Sequence, residues 1–175
     1  GQARHTGQKI HNLQTAISRL SDDVDVLAFV DSDARPKPHW LRLLVSRLWR
    51  EGVGATTGYR CLVPVRQTLA NHLLYSINSF VVGLYGSGGY HPVWGGSWAI
   101  RREVFQGIGI ADSWRETLSD DFVATRVLHE AGLRVDFEPR CVVASPLDYS
   151  PRQMLEFMRR QYKIGRFYAH LWWLI

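Results

Sequence analysis

The sequence has little cysteine and no long apolar run. Its two cysteines, Cys61 and Cys141, lie far apart and form no CxxC pair, which excludes a disulfide-rich scaffold. We therefore expect a reducing, cytosolic compartment. No stretch of about 18 consecutive apolar residues occurs, which excludes a complete membrane-spanning helix within these residues. Residues 1–9 are polar, so the chain does not open with a signal peptide.

Several common catalytic motifs are also missing. The sequence contains no P-loop, no GxSxG and no HExxH, and its seven histidines show no metal-binding spacing. The chain starts at a glycine and ends in the apolar aromatic run of residues 171–175. From these two ends we expect it to be a piece of a longer protein.

The composition is that of one folded domain. The 175 residues are 46% hydrophobic and 21% charged, which excludes a disordered or low-complexity chain. The net charge of +5 favours an anionic partner: nucleic acid, anionic lipid or a phosphorylated substrate.

Strand and helix patterns alternate along the chain. Apolar spacing predicts helices over 8–20, 36–51, 68–85, 121–131 and 151–168, and short apolar runs predict strands over 24–30, 53–59, 98–100, 134–137 and 142–144. The run at 24–30 is typical of a strand buried on both faces. We therefore expect an α/β fold with a mostly parallel sheet.

Asp31-Ser32-Asp33 follows that buried strand directly. Residues two apart in an extended chain point to the same side, so the two carboxylates converge beyond the carboxyl end of a strand, where open α/β sheets bind ligands. Paired carboxylates suit Mg²⁺ or Mn²⁺ held together with substrate phosphates. The alternative is a polar turn in which Asp31 caps a neighbouring helix.

A second acidic pair, Asp120-Asp121, stands before a predicted helix. A carboxylate there is a candidate general base for an acceptor hydroxyl. The competing interpretation is that Ser119 or Asp120 caps the helix and the acids interact with its dipole.

A glycine-rich loop lies at residues 86–97, with aromatic side chains in or next to it. Glycine permits a close approach of the backbone to a ligand, and Tyr90, Trp94 and Trp98 are candidates to stack on a sugar or a lipid head group. Alternatively, the loop is a connector whose aromatic side chains fill the core.

The last predicted helix is basic and amphipathic. Its cations are Arg152, Arg159, Arg160, Lys163 and Arg166, and aromatic residues lie between them. This composition is typical of an interfacial helix on anionic lipid, and the aromatic run that follows would start a membrane span. A surface for single-stranded nucleic acid and a plain solvated face are the alternatives.

The order and spacing of four blocks make the chain resemble a GT-A glycosyltransferase of the family 2 type, closest to the ceramide glucosyltransferases and the hopanoid-associated bacterial enzymes. The blocks are residues 7–13, 27–36, 94–102 and 118–122. The resemblance implies a Rossmann-like GT-A sheet flanked by helices, without the family's N-terminal nucleotide-binding strands. It divides the chain into a partial catalytic domain, 1–149, and an interfacial helix leading into a truncated span, 150–175.

The resemblance also implies roles for individual residues. Asp33 would bind the metal, Asp31 would lie at the metal or the donor ribose, and Lys9 would lie near the donor diphosphate. Asp121 would be the catalytic base, with Asp120 and Trp94 on the acceptor side. Arg160 and Lys163, also on the acceptor side, stand in a degraded (Q/R)xxRW motif in which Ile164 replaces the tryptophan.

The implied activity is inverting, metal-dependent transfer of a sugar from a nucleotide donor, UDP-glucose or a similar compound. We expect a lipid acceptor at the cytoplasmic membrane face, Mg²⁺ or Mn²⁺ as cofactor, and no nucleic-acid partner. We also expect the chain on its own to be inactive. A processive polysaccharide synthase of the same fold is the alternative, and a basic nucleic-acid-binding module is a distant one.

Overall fold

A computed structural model describes residues 2–83 and 91–168 of the chain. The helices in these residues are α1 (Gln8–Ile17), α2 (Trp40–Val45), α3 (Leu69–Gly83), α4 (Arg102–Gly107), α5 (Ile110–Ser113), α6 (Asp120–Glu130) and α7 (Pro151–Tyr168). The strands are β1 (Val26–Val30), β2 (Val53–Pro64), β3 (Ser97–Arg101) and β4 (Arg134–Leu147). None of these helices has both the length and the apolar character of a membrane-spanning segment.

The strands form one sheet in the order β1-β3-β2-β4. β3 is antiparallel to both of its neighbours, whereas β2 and β4 are parallel. The predicted α/β class is confirmed. Three of the four described strands share one direction, as the expected mostly parallel sheet requires. The reversed β3 lies between β1 and β2, so the sheet is mixed: two strand pairings are antiparallel, and the longest, β2 with β4, is parallel.

Helices cover both faces of this sheet. The larger core cluster packs α1, α4, α5 and α6 on one face, around the buried rings of Trp98, Phe105 and Trp114. The smaller cluster packs Trp40 and Leu44 of α2 on the other face. A third cluster joins Leu74 of α3 to the ends of β2 and β4, and residues of α7 pack against it.

The predicted strand at 24–30 differs from expectation in its burial. Leu27 and Phe29 of β1 are buried, but Ala28 and Val30 on the other face are exposed. β1 is an edge strand of the described sheet, and α2 leaves this part of its face uncovered. The prediction that the strand is buried on both faces is therefore wrong for the described chain.

β4 joins two predicted strands into one. Its pairing with β2 shifts register between Thr57 and Tyr59, because residues 138–141 form a bulge opposite Gly58. A Cβ at Gly58 would lie 2.2 Å from the carbonyl oxygen of Cys141, so only glycine fits there. The polar residues of this bulge interrupt the apolar pattern, which is why the sequence predicts two strands.

Candidate functional site

The ends of two paired strands bring the acidic Asp31-Ser32-Asp33 segment beside the Trp94-Gly95-Gly96 segment. Val30, the last residue of β1, pairs with Ser97, the first residue of β3. The Asp31 amide then donates a hydrogen bond to the Gly96 carbonyl at 3.3 Å. Asp31 therefore sits at the carboxyl end of β1, as the sequence predicts.

Lys9 of α1 connects this edge to the start of α6. Its ammonium lies 3.4 Å from Asp31 Oδ1 and 3.1 Å from Asp120 Oδ2, and it donates a hydrogen bond to the Gly95 carbonyl at 3.1 Å. Burial lowers the pKa of Lys9, but the carboxylates of Asp120, Asp31 and Asp121 outweigh burial and raise it overall. Lys9 is therefore a fixed cation in the middle of an acidic site.

Arg60 of β2 supplies a second cation, on the other side of Asp31. Its Nη1 lies 3.8 Å from Asp31 Oδ2, and its Nη2 donates a hydrogen bond to Asp33 Oδ2 at 3.0 Å. One guanidinium thus contacts both carboxylates, which shows that Asp31 and Asp33 converge as their spacing predicts. Sequence reasoning missed Arg60; the one available signal was an arginine directly after the predicted strand 53–59, and the observed strand continues through it.

Five side chains therefore alternate in charge across the site. We call this set the charge chain; in spatial order it is Asp120, Lys9, Asp31, Arg60 and Asp33. Asp31 is the central member because it contacts both cations. The two ends differ in exposure: the Asp120 side chain is 5% exposed and the Asp33 side chain 58%.

Asp120 is the buried end of the charge chain. Burial, and next the neighbouring charge of Asp121, raise its pKa to about 6, against the lowering effect of Lys9. Lys9 is within ion-pair distance, but Asp120 Oδ2 accepts no well-aligned hydrogen bond from the described residues. Asp120 thus points into the site, and its backbone carbonyl accepts a hydrogen bond from the buried indole of Trp114.

Asp121 lies beside the charge chain at the first turn of α6. Its Oδ1 accepts hydrogen bonds from the Phe122 amide, at 2.8 Å, and from the Ser119 hydroxyl. Its Oδ2 accepts a long one, at 3.4 Å, from the Gly95 amide. Ser119 is the N-cap residue of α6 but makes no side-chain cap bond, so the expected Ser119 cap is replaced by a hydrogen bond that orients Asp121.

The two glycines of this segment let the backbone lie directly against the charged groups. A Cβ at Gly95 would be 2.9 Å from Lys9 Nζ and 3.1 Å from a carboxylate oxygen of Asp120 and of Asp121. A Cβ at Gly96 would be only 2.3 Å from Asp31 Oδ2. The site therefore depends on the absence of side chains at both positions.

The predicted aromatic ligands have different outcomes. Trp98 is fully buried and stacks on Phe29 with ring centroids 4.2 Å apart, so it is a core residue and not a stacking surface. Trp94 packs against Tyr59, and its buried indole Nε1 donates no hydrogen bond within the described chain, which leaves a donor at the site edge. Tyr90 and glycines 86–89 lie outside the described residues.

Arg160 and Lys163 are exposed on α7. The Arg160 guanidinium lies over the Phe157 ring, 5.5 Å from its centroid. Within residues 2–83 and 91–168, no ion pair joins Arg160 or Lys163 to the acidic groups. The end of α7 does reach the site: Tyr168 stacks on Phe122, and its hydroxyl accepts a hydrogen bond from the Leu118 amide.

The side chains suited to a divalent metal are Asp31 and Asp33. In the described part of the chain, no group of three or more His, Cys, Asp or Glu side chains is arranged as a protein-only metal site. Mg²⁺ and Mn²⁺ do not need one, because they are commonly held by one or two carboxylates together with substrate phosphates. The all-oxygen pair at an open edge fits such an ion.

Comparison with known protein families gives a match along almost the whole chain. Residues 2–169 match glycosyl transferase family 21. The chain belongs to this family. A comparison with curated protein sequences gives no match.

Solved structures similar to this family 21 chain share its fold. A mannosyltransferase from Pyrobaculum calidifontis, solved with GDP-Man and Mn²⁺, has a TM-score of 0.60 and 19% identity, over 93% of this chain and 41% of its own. Glucosyl-3-phosphoglycerate synthase from Mycobacterium tuberculosis, solved with Mn²⁺ and UDP-glucose, has a TM-score of 0.52 and 18% identity, over 95% of this chain and 55% of its own. The fold is thus that of GT-A glycosyltransferases, and the chain spans about half the length of these structures.

Proposed function

We propose that the protein transfers a hexose from a nucleotide-sugar to the hydroxyl of a membrane lipid, with inversion at the sugar carbon and with Mg²⁺ or Mn²⁺ bound. The observation that carries this proposal is the convergence of Asp31, Asp33, Lys9 and Asp121 at one edge of a family 21 sheet. Mn²⁺ together with a nucleotide-sugar in the two similar structures supports the choice of donor and cofactor.

On the donor side, Asp31 and Asp33 would hold the metal, which neutralises charge on the departing diphosphate. Lys9 supplies a second positive charge. Because its ammonium is held by Asp31, Asp120 and the Gly95 carbonyl, it needs no rearrangement to face an anion at this edge.

On the acceptor side, Asp121 would remove the proton of the attacking hydroxyl. The Ser119 hydroxyl and the Phe122 and Gly95 amides fix the direction of its carboxylate. Asp120, which pairs with Lys9, and the indole N–H of Trp94, which donates no hydrogen bond within the described chain, would line the acceptor side.

The lipid acceptor and the membrane location rest on α7. Leu155, Met158 and Tyr162 form an exposed apolar ridge at helical spacing. Arg152, Arg159, Lys163 and Arg166 form an adjacent cationic row on the same helix. Such a pair of rows suits an anionic bilayer surface, and the contact of Tyr168 with Phe122 would keep that surface near Asp121.

We accordingly treat residues 1–149 as part of a catalytic domain and 150–175 as its membrane interface. Within the family, the ceramide glucosyltransferase and hopanoid-associated branch is our proposed assignment. The active site would face the cytoplasm, and the isolated chain would be inactive.

The test uses membranes that contain the full-length protein, labelled UDP-glucose and Mn²⁺. We expect label in the organic-solvent extract and its loss on addition of a chelator. Asp121→Asn should reduce transfer by about a hundredfold or more, because general-base catalysis typically contributes 10²–10⁴-fold. Label in the insoluble pellet would instead support the polysaccharide synthase.

Asp112→Asn is the matched control for this experiment. Asp112 is an exposed aspartate that pairs with Arg115 on the surface, so its replacement should leave transfer unchanged. Retained transfer in a folded Asp121→Asn variant would contradict the role of Asp121 as base.

A further inference from the structure

Arg60 holds the two carboxylates that a metal ion would need. Its guanidinium contacts Asp31 Oδ2 at 3.8 Å and Asp33 Oδ2 at 3.0 Å. A divalent cation bound by the same oxygens would lie close to this positive group, and the two like charges would repel each other. Arg60 and the metal therefore compete for Asp31 and Asp33.

The surroundings of Arg60 also leave it hydrogen-bonding capacity for an anion. Its Nε is buried and donates no hydrogen bond within the described chain. The side chain is 21% exposed, so the head group can reach solvent at the site while its backbone stays in β2. A guanidinium offers several N–H donors in a fork that matches phosphate oxygens.

We propose that Arg60 is a positioning residue with two alternating partners: it holds Asp31 and Asp33 before the metal binds, and it binds a phosphate oxygen of the donor's diphosphate afterwards. This inference rests on the proposed function. Before loading, Arg60 keeps the two carboxylates together and limits their mutual repulsion. After loading, its charge acts on the diphosphate.

The test measures binding, not turnover, on the purified full-length protein. Mn²⁺ affinity is measured by electron paramagnetic resonance without nucleotide, and the affinities for UDP and GDP are measured with Mn²⁺ present. For Arg60→Gln, we expect Mn²⁺ to bind about two- to fivefold more tightly, because a competing ion pair is removed. The nucleotide that the wild type binds should bind about tenfold or more weakly, because a charged phosphate contact is lost.

The matched control is Arg66→Gln. Arg66 lies just beyond β2 and forms a similar ion pair with Asp148, so its replacement should change neither affinity. Unchanged or weaker Mn²⁺ binding in Arg60→Gln, or unchanged nucleotide binding, overturns the inference. If Arg60→Gln does not fold, Arg60→Lys decides: it keeps the charge, so Mn²⁺ affinity should stay within about twofold while nucleotide affinity falls. Unchanged nucleotide affinity in Arg60→Lys overturns the inference.

Failure of the proposed function would look different. A wild-type protein that binds neither UDP nor GDP in the presence of Mn²⁺ would contradict the donor assignment itself. Nucleotide binding that depends on Asp33 but not on Arg60 would overturn only the role of Arg60.

Discussion

At the scale of single residues, the space around Asp31 decides whether the site can form. Its carboxylate is enclosed by Lys9, Arg60 and the backbone of Gly96. A Cβ at Gly96 would lie 2.3 Å from Asp31 Oδ2 and 3.1 Å from the Trp94 indole nitrogen. The contact with Asp31 is shorter than real Cβ contacts, so Asp31 would have to move away from its two cations.

We expect Gly96→Ala to reduce both Mn²⁺-dependent nucleotide binding and transfer by about tenfold or more, since small displacements of positioning groups cost activity steeply. Overpacking should also lower the free energy of unfolding by about 1–3 kcal/mol. Binding titrations and urea unfolding measure the two effects. Gly107→Ala is the control, because a Cβ there meets nothing within 4 Å. Wild-type binding in Gly96→Ala would contradict the requirement that Asp31 keep its present position.

At the scale of elements, α7 divides its surface into three parts. Met154, Phe157 and Tyr168 face the protein, Leu155, Met158 and Tyr162 form the apolar ridge, and a cationic row lies beyond that ridge. Apolar and cationic rows side by side allow the helix to lie flat on a lipid surface while its third face stays packed.

The role of the cationic row can be tested by measuring how tightly the 175-residue chain binds lipid vesicles. Replacing Arg159 and Lys163 together by glutamine should weaken binding to anionic vesicles by roughly thirtyfold, at about 1 kcal/mol per basic residue near the surface. Replacing Arg115 and Arg126, exposed arginines elsewhere, removes the same net charge and should have a much smaller effect. Equal losses for the two double variants would mean that only net charge matters.

The sequence was most informative where a signal is local. The predicted start of α7 agrees with the structure because Pro151 marks it, and the amphipathic spacing predicts the helix that the described residues form up to Tyr168. Asp31 and Asp33 could be placed because they follow an apolar run. Arg60 could not be placed, because its contact with Asp33 depends on how β2 and β1 pair through β3. The antiparallel direction of β3 could not be predicted either, since the sequence of a five-residue strand does not indicate how it runs relative to its neighbours.

At the scale of the whole molecule, a buried carboxylate ties β4 to the segment after α2. Glu138 is fully buried in the β4 bulge and accepts hydrogen bonds from Arg47 at 2.7 Å and Arg140 at 2.7 Å. Hydrogen bonds from Arg140, and next those from Arg47, lower the pKa of Glu138 to about 2 although its burial raises it. Between about pH 2 and 4.5 the unfolded chain therefore binds the extra proton, so this contribution to stability is lost as pH falls through that range.

Glu138→Gln should destabilise the protein at pH 7 by about 2–4 kcal/mol, because Arg47 and Arg140 lose a charged partner. The difference from wild type should shrink as pH falls from about 4.5 toward 2, and urea unfolding at pH 7 and pH 3.5 measures it. Glu130→Gln, which breaks an exposed pair with Arg126, should cost less than about 0.5 kcal/mol at both pH values. An equal Glu138→Gln effect at both pH values would contradict the low pKa.

The alternation of charge along Asp120, Lys9, Asp31, Arg60 and Asp33 has a further consequence. Each of the three inner groups interacts with two neighbours of opposite charge, so a change in one ion pair alters the strength of the next. A positive charge that binds at Asp33 repels Arg60 and weakens the ion pair between Arg60 and Asp31. The ion pair between Asp31 and Lys9 then becomes stronger, and the one between Lys9 and Asp120 becomes weaker. Asp33 lies in the turn after β1 and Asp120 at the start of α6, so we expect a charge bound at one end of the site to be felt at the other without movement of the backbone.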